Sequence, residues 1–192
     1  LCLRKLENEV IFILQHGQIS IGMALNPIKV SIAQFYGIEI NDFAATVAKT
    51  ALWIAESQMM KQTEDIVHMT LNFLPLKSYV NIHDKNALRI DWNEVIPANE
   101  LHFIMGNPPF VGARIMTKKQ KDDMNYIFAK RKGAGNLDYV SAWYEKAASY
   151  MAGTKITAAF VSTNSITQGE QATILWQPLM AKGIVINFAW TT

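Results

Sequence analysis

A single cysteine, Cys2, stands in this 192-residue sequence, so neither an intrachain disulfide nor a cysteine-rich metal site can form. Charged residues make up only 18% of the chain, against about 25% in an average soluble protein. That deficit points to extensive burial or to a surface shaped for a partner. With 50% apolar residues, 6 prolines and 10 glycines, the composition excludes disorder and collagen-like repeats. Apolar runs are short. The longest, such as Val10 to Leu14, fall far below the roughly 18 residues of a spanning helix, and no secretory signal opens the chain. A soluble, cytoplasmic chain without a membrane segment is expected. His16, His68, His83 and His102 show no metal-ligand spacing, so no metal is assigned. Ser162 and Ser165 lack the context of a nucleophile elbow. The length suits one domain, residues 1–192, with a sizeable core.

Charge is unevenly spread. The chain sums to +2, yet Lys118 to Lys132 holds six bases against two acids, net +4, leaving −2 for the rest. Within it, Lys130, Arg131 and Lys132 are candidates for contact with nucleic-acid phosphates, since backbone charge dominates DNA affinity. The alternative is a solvated helix face.

The elements read from periodicity alternate between helix and strand. Leu3, Leu6, Val10, Ile11 and Leu14 recur at helical spacing from the first residues onward, with no cap before them, which reads as a helix cut at its N-terminus. Phe35 to Ile40 reads as a buried strand, and Asp42 as the cap of a helix whose inner face carries Ala44, Val47, Ala48, Ala51, Leu52, Ala55 and Met59. Trp53 and Met60 read as packing. A loop is expected over Lys61 to Lys77, then short strands near Tyr79 to Ile82 and, buried, at Leu101 to Met105. Thr117 and Gln120 form a capping-box pair opening a helix to about Lys130. Beyond the break at Gly133 to Gly135, a helix carries Leu137, Val140, Tyr144, Ala147, Ala148 and Met151. Trp143, Tyr144 and Trp176 read as core or sheet-facing. A strand at Ile156 to Val161, a helix from Glu170 to Ala181 interrupted near Pro178, and a last strand at Ile184 to Phe188 complete the series. Such alternation predicts an α/β fold with a largely parallel sheet.

Two features carry chemistry. Asn107-Pro108-Pro109-Phe110 follows a strand, and open parallel sheets bind ligands beyond the carboxyl ends of their strands. The four residues suit a planar amino group. Such a nitrogen is a poor nucleophile because its lone pair is delocalised into the ring. Two acceptors aimed at its N–H bonds, the Asn107 side-chain oxygen and the Pro108 carbonyl, favour a more tetrahedral nitrogen with its lone pair free to meet a methyl group. Proline fixes φ and forces Asn107 into extended geometry, so both acceptors are set in advance. Phe110 can stack on the base, and Gly106 permits close backbone approach. The alternative is a rigid Pro-Pro turn without function. The second feature is Glu39, which ends a strand and can accept hydrogen bonds from both ribose hydroxyls of a nucleoside cofactor, while Ile40 can cover the adenine. The alternative there is a solvated carboxylate at a helix start.

Asn107-Pro108-Pro109-Phe110 resembles the catalytic motif of amino-group DNA methyltransferases. Phe35 to Glu56 resembles their cofactor-ribose region, and Gly135 to Met151 with Phe160 to Gln171 resemble further segments of the same group. Within it, the chain is most similar to large single-chain restriction-modification enzymes that methylate adenine at N6. The resemblance implies a Rossmann-like sheet with helices on both faces, S-adenosylmethionine as methyl donor, and double-stranded DNA as partner. It implies that Glu39 holds the ribose, Ile40 the adenine, and Asn86 with Ala87 and Leu88 the adenine edge, although the family often has Asp where Asn86 stands. It further implies that Asn107 to Phe110 bind a flipped adenine, since a stacked and paired amino group is inaccessible to in-line attack, with Asn107 also next to the cofactor.

The family's glycine-rich cofactor loop should precede Glu39. Gly133-Ala134-Gly135 comes after the catalytic loop and does not serve. The chain therefore reads as the middle of a methyltransferase core, without its first strand, its glycine loop or a target-recognition domain, and as inactive alone. Other planar nitrogens remain open as targets: cytosine N4, an RNA guanine amino group or a protein glutamine. So does a noncatalytic DNA-binding remnant. A nicotinamide oxidoreductase shares the strand-end acid but has no use for the Asn-Pro-Pro-Phe loop.

Overall fold

A computed structural model describes residues 1–16, 28–68, 70–71, 81–129 and 131–190. The chain divides into two compact units, Leu1–Asn86 and Ala87–Thr192. Each contains one pair of parallel strands and the helices that pack beside it. Among the described residues no helix is long and apolar enough to cross a membrane, and no cluster of His, Cys, Asp and Glu is arranged to hold a metal ion.

The first unit holds α1 (Cys2–His16), β1 (Tyr36–Glu39), α2 (Asp42–Val67) and β2 (Asn81–Asp84). Parallel strands need a long crossover, and α2 supplies it. Tyr36 lies opposite Asn81 and Glu39 opposite Asp84. Asn41, not Asp42, caps α2: its side chain accepts from the Ala44 N–H at 2.9 Å, leaving Asp42 as the first helical residue, favourable at the positive end of the helix. The helix runs on through residues 61–67, where a loop was expected. No proline or glycine interrupts that stretch, and the helix stops only at His68, whose φ is 51°. The rest of that expected loop, at residue 69 and residues 72–77, lies outside the described residues, as do residues 79 and 80 of the expected strand.

The inner faces of these helices also differ from expectation. In α1 the buried residues are Arg4, Asn8 and Ile11, while Leu3, Leu6, Val10 and Leu14 are exposed. In α2 they are Ala45, Glu56, Met59 and Thr63, while Val47 is exposed. The seam between the two helices is polar. Arg4 Nη2 donates to Thr63 Oγ1 at 3.0 Å, the Thr63 hydroxyl donates to Asn8 Oδ1 at 2.7 Å, and Arg4 also pairs with Glu7. Burial raises the pKa of Glu56 on the same seam, with Arg4 acting in the opposite sense. Hydrophobic periodicity marked one stripe of α1, and hydrogen bonding chose another.

The second unit runs α3 (Trp92–Val95), β3 (Phe103–Gly106), α4 (Lys118–Phe128), α5 (Ser141–Tyr150), β4 (Thr157–Phe160) and α6 (Gly169–Ala181). β3 and β4 are parallel, with Phe103 opposite Thr157 and Gly106 opposite Phe160. The capping box forms as expected: the Gln120 N–H donates to Thr117 Oγ1 at 3.3 Å, and Gln120 Oε1 accepts from the Thr117 N–H at 2.9 Å. Leu88, Phe128, Leu137, Val140, Leu175 and Leu179 form the centre of the core. Tyr144 meets Phe160 and Trp176 edge-on, each at 5.2 Å between ring centres, so the aromatic residues read as packing do pack.

Four local expectations are corrected. β1 and β3 are not fully buried: Tyr36 is exposed, and Phe103 and Met105 are 69% and 80% exposed on one face of β3. The helix expected from Leu137 begins at Ser141, because Leu137 to Val140 turn into the core in a non-helical path that places Tyr139 against the loop after β3. α6 is not interrupted at Pro178. The proline stands within the last turn, and the Lys182 N–H still donates to its carbonyl at 3.2 Å. Ile184 to Phe188 is no strand, since no described strand lies alongside to complete its ladder.

Candidate functional site

The Asn107–Phe110 loop leaves the carboxyl end of β3 and is gripped at both ends. At its start, the Val161 N–H donates to the Gly106 carbonyl at 3.0 Å, extending the β3–β4 ladder by one bond. At its end, the Tyr139 N–H donates to the Val111 carbonyl at 2.8 Å, and the Ala113 N–H donates to Asp138 Oδ1 at 3.1 Å. Pro108 is buried, whereas Asn107 and Pro109 are exposed and Phe110 is 48% exposed. One ring thus anchors the loop while an amide and an aromatic face remain accessible. Gly106 has a packing reason as well: a Cβ there would lie 3.1 Å from Phe160 Cδ1.

In the other unit Glu39 ends β1, half-buried. Its Oε1 accepts from the Asn41 N–H at 2.9 Å, which fixes the carboxylate, and its carbonyl accepts from the Lys85 N–H at 3.0 Å. Ile40 is 59% exposed beside it. Asn86 is half-buried at the end of the same unit.

Ala87 and Leu88 open a turn at the start of the second unit. The Ala87 carbonyl accepts from Trp92 Nε1 at 2.9 Å. The Leu88 side chain is fully buried in the core, so only its backbone is available to a ligand. Lys146 on α5 braces this turn, donating from Nζ to the Leu88 carbonyl at 3.1 Å and the Ile90 carbonyl at 2.6 Å. Burial lowers the Lys146 pKa, with Asp91 pulling weakly the other way.

Of the basic run, Lys132 is exposed and Lys130 lies outside the described residues. Arg131 is bound inward to Glu145, which also receives Lys182 Nζ at 2.5 Å. Burial alone would raise the Glu145 pKa, but hydrogen bonds and charge from Arg131 and Lys182 outweigh it and hold the carboxyl below its ordinary value. A second buried acid, Asp123 on α4, takes Arg89 Nε at 2.5 Å and the Tyr139 hydroxyl at 2.8 Å. Burial, then the Asp123 hydrogen bond, pushes the Tyr139 pKa up.

Sequence reasoning passed over Asp138 and Lys146. A visible signal existed for Lys146, which with Glu145 is one of the two charged residues of α5. For Asp138 the signal was only its place in the Gly135 to Met151 segment, because its side-chain partners lie 25 and 27 positions away.

Similarity to known proteins over nearly the whole chain gives its class, the DNA-methyltransferase domains. The family model described as the MmeI DNA-methyltransferase domain matches residues 1–192, and the chain belongs to that family. It is 46% identical over 191 residues to DNA methyltransferase A of Bacillus subtilis (strain 168), covering 98% of this chain and 21% of that protein. Among solved structures, the type IIL restriction-modification enzyme MmeI in complex with DNA matches with a TM-score of 0.87 and 43% identity, over 98% of this chain and 26% of the MmeI chain. The chain therefore spans a fifth to a quarter of the length of these two proteins.

Proposed function

We propose that this chain is the part of a restriction-modification DNA methyltransferase that moves a methyl group from S-adenosylmethionine to N6 of a flipped adenine, on a Rossmann-like sheet. The observation that carries this reading is the Asn107–Phe110 loop, fixed at both ends with its amide and its ring accessible. The similarity to an enzyme solved in complex with DNA supports DNA as the partner.

The cofactor, when bound, supplies an electrophilic methyl group. Glu39 fits its ribose: the carboxylate is already oriented by the Asn41 N–H and sits at the carboxyl end of a parallel strand. Ile40, exposed, offers an apolar surface to the adenine, and Asn86, Ala87 and Leu88 its edge. Asn107 and the Pro108 carbonyl would accept from the two N–H bonds of the target nitrogen and leave its lone pair facing the donor's methyl group. As the nitrogen–methyl bond forms, the sulfur–methyl bond would break, and one N–H proton would be released to solvent. Because the prolines fix these acceptors beforehand, little reorganisation is needed during transfer. Phe110 stacks on the extruded base and compensates part of its lost stacking. Lys130 and Lys132 contribute phosphate contacts, and Arg131 reaches the same surface only by leaving Glu145.

The test is Asn107→Ala in the full-length protein, with labelled S-adenosylmethionine and enzymatically amplified, unmethylated DNA. Losing one preorganised acceptor should slow single-turnover transfer about 100- to 1000-fold while cofactor binding persists. Digestion of the wild-type product should yield N6-methyladenine. Transfer by Asn107→Ala at the wild-type rate would refute the loop's role, and N4-methylcytosine as product would move the target to cytosine.

A further inference from the structure

The Asn107–Phe110 loop is short and exposed, yet its function on the reading above demands acceptors fixed to within fractions of an ångström. Its prolines restrict φ and the buried Pro108 ring seats its middle, but neither holds the chain that leaves Phe110. The anchoring at its downstream end is done from the segment entering α5. There the Asp138 carboxylate reaches two separate loops. Oδ1 accepts from the Ala113 N–H at 3.1 Å, on the chain leaving Phe110, and Oδ2 accepts from the Ser165 hydroxyl at 2.5 Å, on the loop after β4. Those loops follow neighbouring parallel strands, so one carboxylate ties together the carboxyl ends of β3 and β4.

Asp138 is itself fixed from several sides. Its N–H donates to Gln171 Oε1 on α6 at 3.0 Å, and its carbonyl accepts from the Ser141 N–H at 3.0 Å and the Ser141 hydroxyl at 2.6 Å. The next residue, Tyr139, is held through its hydroxyl by Asp123 and donates its N–H to Val111. Residues 138 and 139 thus clamp positions 111 and 113 with one bond each, from a support built by α4, α5 and α6. Gly112, between the clamped positions, lies against the same carboxylate: a Cβ there would meet Asp138 Oδ1 at 3.7 Å.

We propose that Asp138 is a positioning residue for methyl transfer, setting the Asn107–Phe110 acceptors through the Ala113 N–H and registering them against the Ser165 loop. The inference rests on the catalytic reading of that loop. It goes further by placing the accuracy of the site in a residue outside the loop, acting through the Ala113 N–H and the Ser165 hydroxyl. Asp138 works by geometry rather than by charge. An amide can therefore replace it: Asn keeps an oxygen for Ala113, and its NH2 can face Ser165 Oγ, whose own proton can turn to Thr163 Oγ1 at 2.7 Å.

The experiment is a double-mutant cycle in the full-length protein, with single-turnover transfer of labelled methyl to amplified, unmethylated DNA and calorimetric titration of S-adenosylmethionine. Asp138→Ala should slow transfer about 10- to 100-fold with cofactor affinity within about twofold of wild type, and Asp138→Asn should stay within about threefold. Combined with Asn107→Ala, Asp138→Ala should add almost nothing, because the group it positions is already gone. Multiplying losses in the double mutant, a wild-type rate for Asp138→Ala, or a parallel loss of cofactor affinity would each overturn the proposal. Should Asp138→Ala not fold, Ser165→Ala removes one of the two ties with α5 intact. It should slow transfer at least about threefold, and a wild-type rate would again overturn the proposal. If Asn107→Ala alone transfers at the wild-type rate, the catalytic reading fails and the positioning role falls with it. If Asn107→Ala is slow and Asp138→Ala fast, only the positioning role fails.

Discussion

Arg131 grips Glu145 with both terminal nitrogens, Nη1 to Oε2 at 3.0 Å and Nη2 to Oε1 at 2.9 Å. This planar, two-pronged geometry is what guanidinium and carboxylate favour. Glu145 is 5% exposed, and Lys182 at the end of α6 completes the cluster. The cluster links the end of the basic run to α5 and α6.

The three consecutive cations should therefore separate in solution. Arg131→Ala should lower the stability of the full-length protein by about 1.5–3 kcal/mol and leave the salt dependence of DNA binding nearly unchanged. Lys132→Ala should leave stability unchanged and flatten the salt slope by about 0.9 log unit if it meets one phosphate. Thermal unfolding and binding titrations across salt concentrations measure both.

Acid should reach the same cluster. The folded pKa of Glu145 lies below its ordinary value of 4.5. Its contribution to stability is therefore fully present above the unfolded pKa and is lost as pH falls through the lower folded value. Unfolding midpoints followed from pH 6 downward should drop less steeply below about pH 4.5 in Glu145→Gln than in wild type. Identical acid limbs would show that the carboxylate is uncoupled from folding.

Lys146 offers a different test. Lys146→Met keeps most of the apolar stem but deletes the bonds to the Leu88 and Ile90 carbonyls, leaving the turn after Asn86 unbraced. If that turn holds the cofactor's adenine, affinity for S-adenosylmethionine should fall about tenfold, with transfer at saturating cofactor nearly unchanged. Calorimetry and single-turnover rates distinguish this from a loss in the transfer step itself.

Gly106→Ala tests packing behind the loop. The new methyl would press on the Phe160 ring, which is already wedged against Tyr144. A loss of about 1–3 kcal/mol is expected, partly restored by Phe160→Leu. A neutral outcome in thermal unfolding would show that the ring moves aside freely.

What could be read in advance was what is decided locally. Thr117 and Gln120 formed their capping box because both partners lie within one helical turn. The place of the Asn107–Phe110 loop directly after a strand was legible because consecutive prolines end a strand from local sequence alone. Residues decided by distant partners were not legible. Asp138 gains its meaning only when Ala113 and Ser165 arrive, and Leu3, Leu6 and Val10 lost the inner face of α1 to Arg4 and Asn8 because Thr63 offered hydrogen bonds there. Ile184 to Phe188 has the composition of a strand, but a strand exists only beside a partner.

The polar seam between α1 and α2 acts as an alignment key. An apolar interface tolerates sliding, since one methyl group replaces another at small cost. Displacing α1 by one turn would carry Arg4 about 5.4 Å along its axis, breaking its bond to Thr63 and the Thr63 bond to Asn8 together. Each severed group would stay buried without water to replace the lost partner. Neighbouring registers are thus penalised while the correct one gains little, and α1 is held at one height on α2 by discrimination rather than by strength of adhesion.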